Sequence, residues 1–406
     1  MKNFDAVIIG FGKAGKTLAV FLASKGQKVA MVEKDEGMYG GTCINVGCIP
    51  SKSLVYSSHD RQLANPDLDR DSRLALFKKA VEEKTQLIGM LRNKNYHMLA
   101  DKENITVFHG TGSFENANTV KVSYPDGSYE LLQGEKIVIN TGARPLIPSI
   151  EGLSESKRVY VSETLLNLDV LPEHFVVLGG GYIGLEFASI MRKFGSKVTI
   201  IQRGATFLPK EDRDIADVIL ADFEAQGIRV VKKAKILSVN PGEAADEVVM
   251  GMEDGSIETL SADALLLGTG RKPNVEGLNL EAAGVKLNDK GAIAVDEHCR
   301  TGVPNVWAVG DVTGHAQFTY MSLDDFRIVR DQLFGQGLRT MSNRGHVPYS
   351  VFIDPAFSRV GMTEEEAKAA GYTVKVGKLP AGAIPNGSHL TQSAWLVKGH
   401  HQRRHQ

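Results

Sequence analysis

Between Phe4 and Val32 the apolar residues change period twice. Phe4 to Ile9 is a nearly continuous apolar run, Ala14, Leu18, Phe21 and Leu22 then recur at helical spacing, and Lys28 to Val32 returns to a run. Two short runs around a stripe of period 3.6 predict a strand, a helix and a second strand. The order recurs further on. Phe175 to Leu178 is apolar, Ile183, Phe187, Ile190, Met191 and Phe194 form a helical stripe, and Lys197 to Ile201 reads as the next strand. No long stretch of identity links the two units, so the repeat is one of pattern.

Residues 53–100, between the repeats, set Leu74, Ala75, Phe77, Leu87 and Leu91 among lysines and glutamates and predict charged helix. Residues 105–141 predict strands around a Pro125-Asp126-Gly127 turn. The second repeat is followed in the same manner by strands near Arg229–Val239 and Glu247–Met252, a turn at Glu253-Asp254-Gly255, and strands at Ala264–Leu267 and Val306–Val309. The Gly-, Arg- and Asn-containing stretch from Thr340 to Gly345 marks a boundary.

Each repeat carries glycines where its first strand meets its helix. Gly10-Phe11-Gly12-Lys13-Ala14-Gly15 is followed by Glu33 at the end of the second strand. That placement suits a dinucleotide. Glycines let the backbone approach a pyrophosphate, the helix N-terminus offers free N–H groups, and the carboxylate accepts ribose hydroxyls. Gly179-Gly180-Gly181-Tyr182-Ile183-Gly184 repeats the logic, but Gln202 stands where the acid would be, followed by Arg203. A carboxylate there repels a 2′-phosphate; neutral Gln202 removes the repulsion and Arg203 offers a partner, which leans the site toward NADPH or mixed use. A solvated strand-end arginine is the competing reading of Arg203.

Chemistry beyond nucleotide binding comes from Gly40-Gly41-Thr42-Cys43-Ile44-Asn45-Val46-Gly47-Cys48-Ile49-Pro50-Ser51-Lys52. An unbroken helix rises about 7.5 Å over five residues, beyond the roughly 7 Å Cα separation a disulfide spans. Bridging Cys43 and Cys48 therefore requires a bent backbone, which Gly47 permits. Lys52 lies four residues beyond Cys48, on the same face of a helix that starts there, where its ammonium favours a thiolate. Two dinucleotide sites beside a cysteine pair imply a flavin in one of them, because a flavin accepts a hydride and hands two electrons to a disulfide.

Composition narrows the partners. The 406 residues suffice for several domains, and a net charge of -1 provides no bulk attraction to nucleic acid or anionic lipid. Small molecules are the expected partners. The longest apolar runs fall short of a membrane span, and Met1-Lys2 leads directly into a strand rather than a signal sequence, so the expected location is the cytoplasm. Only three cysteines occur; the third, Cys299, sits beside His298 on an expected strand, where neighbours face opposite ways, and reads as a plain buried thiol.

With these residues in place, the sequence resembles the pyridine nucleotide-disulfide oxidoreductases, the family of glutathione reductase, dihydrolipoamide dehydrogenase and mercuric reductase. The resemblance runs from residue 1 to about 385 and is most similar to the bacterial reactive-chlorine-resistance flavoprotein branch. It implies an α/β fold of two Rossmann-like dinucleotide-binding domains plus an α+β interface domain: residues 1–150 and 271–345 for FAD, 151–270 for NAD(P)H, and 346–406 for dimerisation. It implies that Gly10, Gly12, Gly15, Glu33, Gly41, Thr42, Asn140, Thr141, Gly142, Gly310 and Asp311 hold FAD. Gly179, Gly181, Tyr182 and Gly184 belong by the same implication to the NAD(P)H site, which Gln202, Arg203 and Gly270 are expected to complete. Cys48 then faces the flavin, Cys43 exchanges with the acceptor, Lys52 approaches the flavin edge and pairs with Glu186, and Tyr182 covers the nicotinamide pocket. Read without the resemblance, Glu186 is a first-turn carboxylate favoured by the helix dipole, and Tyr182 is a core aromatic.

Val347 to Pro355 and Gly361 to Glu364 resemble the opening of the family's interface domain. The family's later His-Pro and Glu, which serve the partner's site, have no counterpart here. From about Asn386 the apolar alternation is lost, and the chain ends in His400-His401-Gln402-Arg403-Arg404-His405-Gln406. The tail is expected to lie outside the fold and the domain to be incomplete, weakening the homodimer. An altered reading frame, a His-rich metal tract and an expression artefact are the three explanations, with the first favoured. The expected activity is electron transfer from NAD(P)H through FAD and the cysteine pair to a small disulfide or a thiophilic metal ion such as Cu(II) or Hg(II). An NAD(P)H oxidase or peroxidase, and a catalytically defective flavin-binding remnant, are the alternatives.

Overall fold

The computed structural model describes residues 1–380 and 396–403. The chain divides into two compact units: residues 1–53, 82–146 and 271–345 form one, and residues 54–81, 147–270 and 346–406 the other.

In the first unit the strand Lys2–Ile9, the helix Lys13–Ser24 and the strand Val29–Glu33 form the expected repeat. They enter a seven-stranded sheet. Lys2–Ile9 runs parallel to Val29–Glu33 on one side and to Tyr129–Ile139 on the other. Tyr129–Ile139 also pairs in parallel with Val306–Ala308 and antiparallel with Thr119–Ser123. Parallel strands covered on both faces read as unbroken apolar runs. Ala6, Val7, Ile8, Val29, Ala30, Met31 and Val32 are accordingly all withdrawn from solvent, and alternate side chains feed two separate cores.

The second unit repeats the plan with a five-stranded parallel sheet in the order Ile228–Val231, Lys197–Ile201, His174–Leu178, Ala264–Leu267, Val159–Tyr160. The helix Tyr182–Phe194 joins its two central strands. A three-stranded antiparallel sheet, Lys235–Asn240, Asp246–Gly251 and Ile257–Ala262, closes the core over it. Arg229–Val239, expected to be strand, is two strands broken at Lys233, whose φ of 56° takes it out of extended geometry.

The breaks near 146, 270 and 345 lie where the sequence places them, and two segments are grouped with the second unit. Residues 54–81 group with the second unit, because Phe77 packs edge-on against Phe194 at 5.2 Å and the Arg70 guanidinium donates to the Leu171 carbonyl at 2.8 Å. Residues from 346 onward group with it too, through Lys193 paired with Asp354, Gln226 donating to the Asp354 carbonyl at 2.9 Å, and Phe352 N–H donating to Glu186 Oε1 at 3.0 Å. Helical charge patterning from 53 to 100 hid a break: Cys48–Ser57 and Arg70–Ala100 are separate helices.

The expectation for the tail also differs in part. Leu396–Arg403 is a strand, antiparallel to Thr373–Pro380. Backbone hydrogen bonds to an open strand edge do not depend on apolar alternation, which is why the pattern did not disclose it. Residues 381–395 and 404–406, which include Asn386 and His405, lie outside the described residues.

Candidate active site

The cysteine segment bends where the five-residue spacing demands. Thr42–Asn45 is a single helical turn, Val46 leaves helical geometry at φ −141°, and the next helix begins at Cys48 itself. Buried Asn45 holds the bend: its Nδ2 donates to the carbonyls of Tyr39 at 2.9 Å and Gly41 at 3.0 Å, while Arg92 Nε donates to its Oδ1 at 2.8 Å. Sequence pattern had no means of marking Asn45 as the staple.

Cys43 and Cys48 are free thiols, close enough to share a hydrogen bond. Donation from Cys43 pulls the Cys48 thiol down to about 6, helped by Thr319 and by the Lys52 ammonium and opposed by burial. The same bond and burial push the Cys43 thiol far up. One thiolate and one thiol therefore coexist, with the negative charge on the sulfur at the helix N-terminus. Thr319 Oγ1 stands 3.4 Å from Cys48 Sγ. This residue opens the helix Thr319–Phe334 and escaped the sequence reading altogether.

The first glycine turn adjoins this loop. A Cβ on Gly41, whose φ is 79°, would come 2.8 Å from Gly12 Cα, so the two backbones touch. Gly10 has φ 99°, and a Cβ there would meet the Asn140 carbonyl at 2.3 Å. Asn140 ties the site together: its Oδ1 accepts the Gly15 N–H at 2.9 Å and its Nδ2 donates to the Val309 carbonyl at 2.8 Å, just before Gly310. Gly12 gives the helix Lys13–Ser24 no side-chain cap, and Ser322 and Asn140 accept the Ala14 and Gly15 N–H groups at 3.2 and 2.9 Å, so the N–H groups of Gly12 and Lys13 are the ones that face an anion.

Glu33 accepts the Phe11 and Asp35 N–H groups at 2.9 and 3.1 Å while burial raises its pKa. Asp311 is raised to about 6 by burial, against the favourable charge of Arg271. Both carboxyls are half-buried. Asp325 accepts the Gly310 N–H at 2.8 Å and Arg344 at 2.9 Å, fixing that turn. The Thr141 hydroxyl is already used, donating to the Asn274 carbonyl at 2.7 Å, and Gly142 turns the chain at φ 72°. A helix N-terminus whose Gly12 and Lys13 N–H groups face outward, two half-buried carboxyls and a glycine-lined backbone fit a bulky dinucleotide such as FAD.

In the second unit, Gly181 caps the helix Tyr182–Phe194, again without a side-chain hydrogen bond. Gln202 Nε2 donates to the carbonyls of Gly204 at 2.8 Å and Thr206 at 3.1 Å, and its Oε1 would lie 2.5 Å from a Cβ on Gly180. The amide thus braces the turn as well as standing at the expected ribose position. Arg203 is exposed beside it, Gly184 is buried, and Gly270 turns at φ 103° with open space around it. The Tyr182 hydroxyl donates to buried Glu211 and lies 3.2 Å from the Tyr349 hydroxyl, with the two rings stacked at 5.5 Å. Burial and Glu211 push its phenol well up.

Cys299 is buried as expected, and burial raises its thiol, but the reason differs. It sits at φ 63° in a turn, not on a strand.

Residues 4–325 match the model of the pyridine nucleotide-disulphide oxidoreductases, and residues 347–399 match that family's dimerisation domain. The chain belongs to this family. It is 47% identical over 398 residues to a probable pyridine nucleotide-disulfide oxidoreductase, RclA, of Escherichia coli, covering 98% of this chain and 86% of that one. A mercuric reductase of Lysinibacillus sphaericus is 35% identical over 387 residues, covering 94% and 69%. Among solved structures, a Cu(II) complex of the HOCl-induced flavoprotein disulfide reductase RclA superposes with a TM-score of 0.90 at 46% identity, covering 99% of this chain and 87% of that one. The protein is accordingly an FAD- and NAD(P)H-dependent oxidoreductase with an α/β fold. No helix among the described residues is long and apolar enough to cross a membrane.

Proposed function

We propose that this enzyme reduces a small disulfide or a thiophilic metal ion through the Cys43–Cys48 pair. The observation that carries the reading is the division of labour between the sulfurs: Cys48 is held as a thiolate by Cys43, Thr319 and Lys52, and Cys43 keeps the proton. Bound FAD supplies two-electron transfer between a nicotinamide hydride and the cysteine pair. The unit containing residues 1–53, 82–146 and 271–345 would hold it, with Gly10, Gly12 and Gly15 letting the pyrophosphate approach the backbone and Glu33 and Asp311 on hydroxyls. The unit containing 147–270 would take NAD(P)H at Gly179, Gly181 and Gly184. There Tyr182 is the movable cover, Gln202 and Arg203 face the ribose side, and Glu186 and Gly270 line the site.

In the forward direction Cys43, once deprotonated, attacks one sulfur of the acceptor. The acceptor S–S bond breaks, a mixed disulfide forms and one thiolate leaves. Cys48 then attacks Cys43 Sγ, releasing the second thiolate and restoring the intramolecular disulfide. Two electrons pass from the dithiol to the acceptor, and the leaving thiolates take up protons. The mercuric reductase relatives and the solved Cu(II) complex of RclA favour a soft metal ion as an alternative substrate. The match to the dimerisation domain favours a homodimer, and a cysteine pair that cycles between dithiol and disulfide suits a reducing cytoplasm.

The test is anaerobic titration of the yellow holoenzyme with NADPH. A long-wavelength thiolate-to-flavin band at two electrons, lost in Cys48→Ser, is expected. Simple bleaching in both proteins would remove the cysteine relay and leave an oxidase.

A further inference from the structure

The helix behind the first glycine turn buries Ala14, Gly15, Leu18, Ala19 and Leu22, the small and apolar residues its position requires. Lys16 interrupts that set. It is only 4% exposed, and its Nζ donates to the Gly40 carbonyl at 3.2 Å and to Asn95 Oδ1. Both acceptors are neutral. Among the described residues no carboxylate lies within ion-pairing distance of this ammonium. A buried cation without a carboxylate is costly unless another anion answers it. Burial and neighbouring Lys13 draw Lys16 down to about 8, and the group that favours its charge is Cys43. The effect is mutual, since Lys16 lowers the Cys43 thiol against the bond to Cys48. Asn95 is itself fixed by donation to the Leu91 carbonyl at 2.7 Å, so the acceptors hold the ammonium beside the loop that leads into Cys43.

We propose that Lys16 is a positioning residue for the redox pair: it tethers the Gly40 backbone and stabilises the Cys43 thiolate when that sulfur attacks the acceptor. The proposal rests on Cys43 being the exchanging thiol. Its logic is that Cys43, left with the proton by Cys48, is a poor nucleophile until the proton departs. A fixed cation bonded to the Gly40 end of the cysteine loop lowers the cost of that departure without touching the acceptor. Lys52 serves Cys48 in the same way from the helix that Cys48 opens. The two sulfurs thus have separate cations.

The experiment follows alkylation of NADPH-reduced holoenzyme by iodoacetamide against pH, with mass spectrometry identifying the modified cysteine. Lys16→Gln keeps a donor for the Gly40 carbonyl and drops the charge, Lys16→Arg keeps the charge, and Lys16→Met drops both. Lys16→Gln and Lys16→Met should move the Cys43 midpoint up by about one pH unit and slow its alkylation at pH 7 about tenfold. Lys16→Arg should stay near wild type. If Lys16→Met fails to retain flavin, the Gln and Arg variants decide. A wild-type midpoint in Lys16→Gln would reduce Lys16 to a structural hydrogen bond and overturn the proposal alone. A mixed disulfide with 5-thio-2-nitrobenzoate trapped on Cys48 in Cys43→Ser, and none trapped on Cys43 in Cys48→Ser, would overturn the exchanging-thiol reading and Lys16 with it.

Discussion

Thr319→Val removes one hydroxyl from the Cys48 thiolate and leaves shape, branching and helix position nearly unchanged. The hydroxyl lies 3.4 Å from Cys48 Sγ. A hydrogen bond to a charged group contributes about 1.5 kcal/mol at the lower end of its range, and 1.36 kcal/mol corresponds to about one pKa unit. The Cys48 thiol, drawn down to about 6 in the wild type, should therefore titrate near about 7 in the variant. At pH 7 its thiolate fraction would fall from roughly nine-tenths to roughly half. The sign follows from which form is held: the thiolate is stabilised, so the long-wavelength band is present above the midpoint and disappears as pH falls through it. The assay is a pH titration of that band in the two-electron-reduced holoenzyme, with flavin content as the folding control. An unchanged midpoint would show that Cys43 and Lys52 alone hold the thiolate and would refute the role given to Thr319.

Gly179→Ala forces a Cβ to within 2.4 Å of the Gly268 carbonyl at a φ of 109°; a strain of about 1–3 kcal/mol should weaken NAD(P)H binding at least tenfold by fluorescence titration while flavin content stays at wild type. Arg203→Ala removes an exposed guanidinium and should lower kcat/KM for NADPH about tenfold, leaving NADH within about twofold; an equal loss with both nucleotides would leave Arg203 a solvated strand end. Phe77→Ala opens a cavity against Phe194 in the second unit, and the expected loss of about 3–5 kcal/mol should appear as a lowered Tm in calorimetry.

Much of the site was legible because its signals are local. A strand, a glycine turn and a helix are encoded within some thirty consecutive positions, and the steric demand at Gly10 or Gly179 is met by the glycine itself. The helix beginning at Cys48 was readable for the same reason, since Lys52 and Cys48 share a face through spacing alone. Thr319 was not. It is 271 residues from Cys48, and nothing in its own neighbourhood differs from an ordinary first-turn threonine. Lys16 was hidden differently: it follows directly on a recognised motif, on a helix where a lysine reads as solvent-facing until burial is known.

The sequence by itself determined the two nucleotide-binding repeats, the bend between the cysteines and the family, because each rests on residue types a few positions apart. Tertiary structure decided which residues tune the sulfurs and where the units divide. Asn140 joins the glycine turn to Val309 across 169 residues, and residues 54–81 and 346 onward join the second unit through single side chains such as Phe77 and Asp354. Contacts of that kind depend on how a closed chain packs, and periodicity carries no record of the partner a side chain will meet.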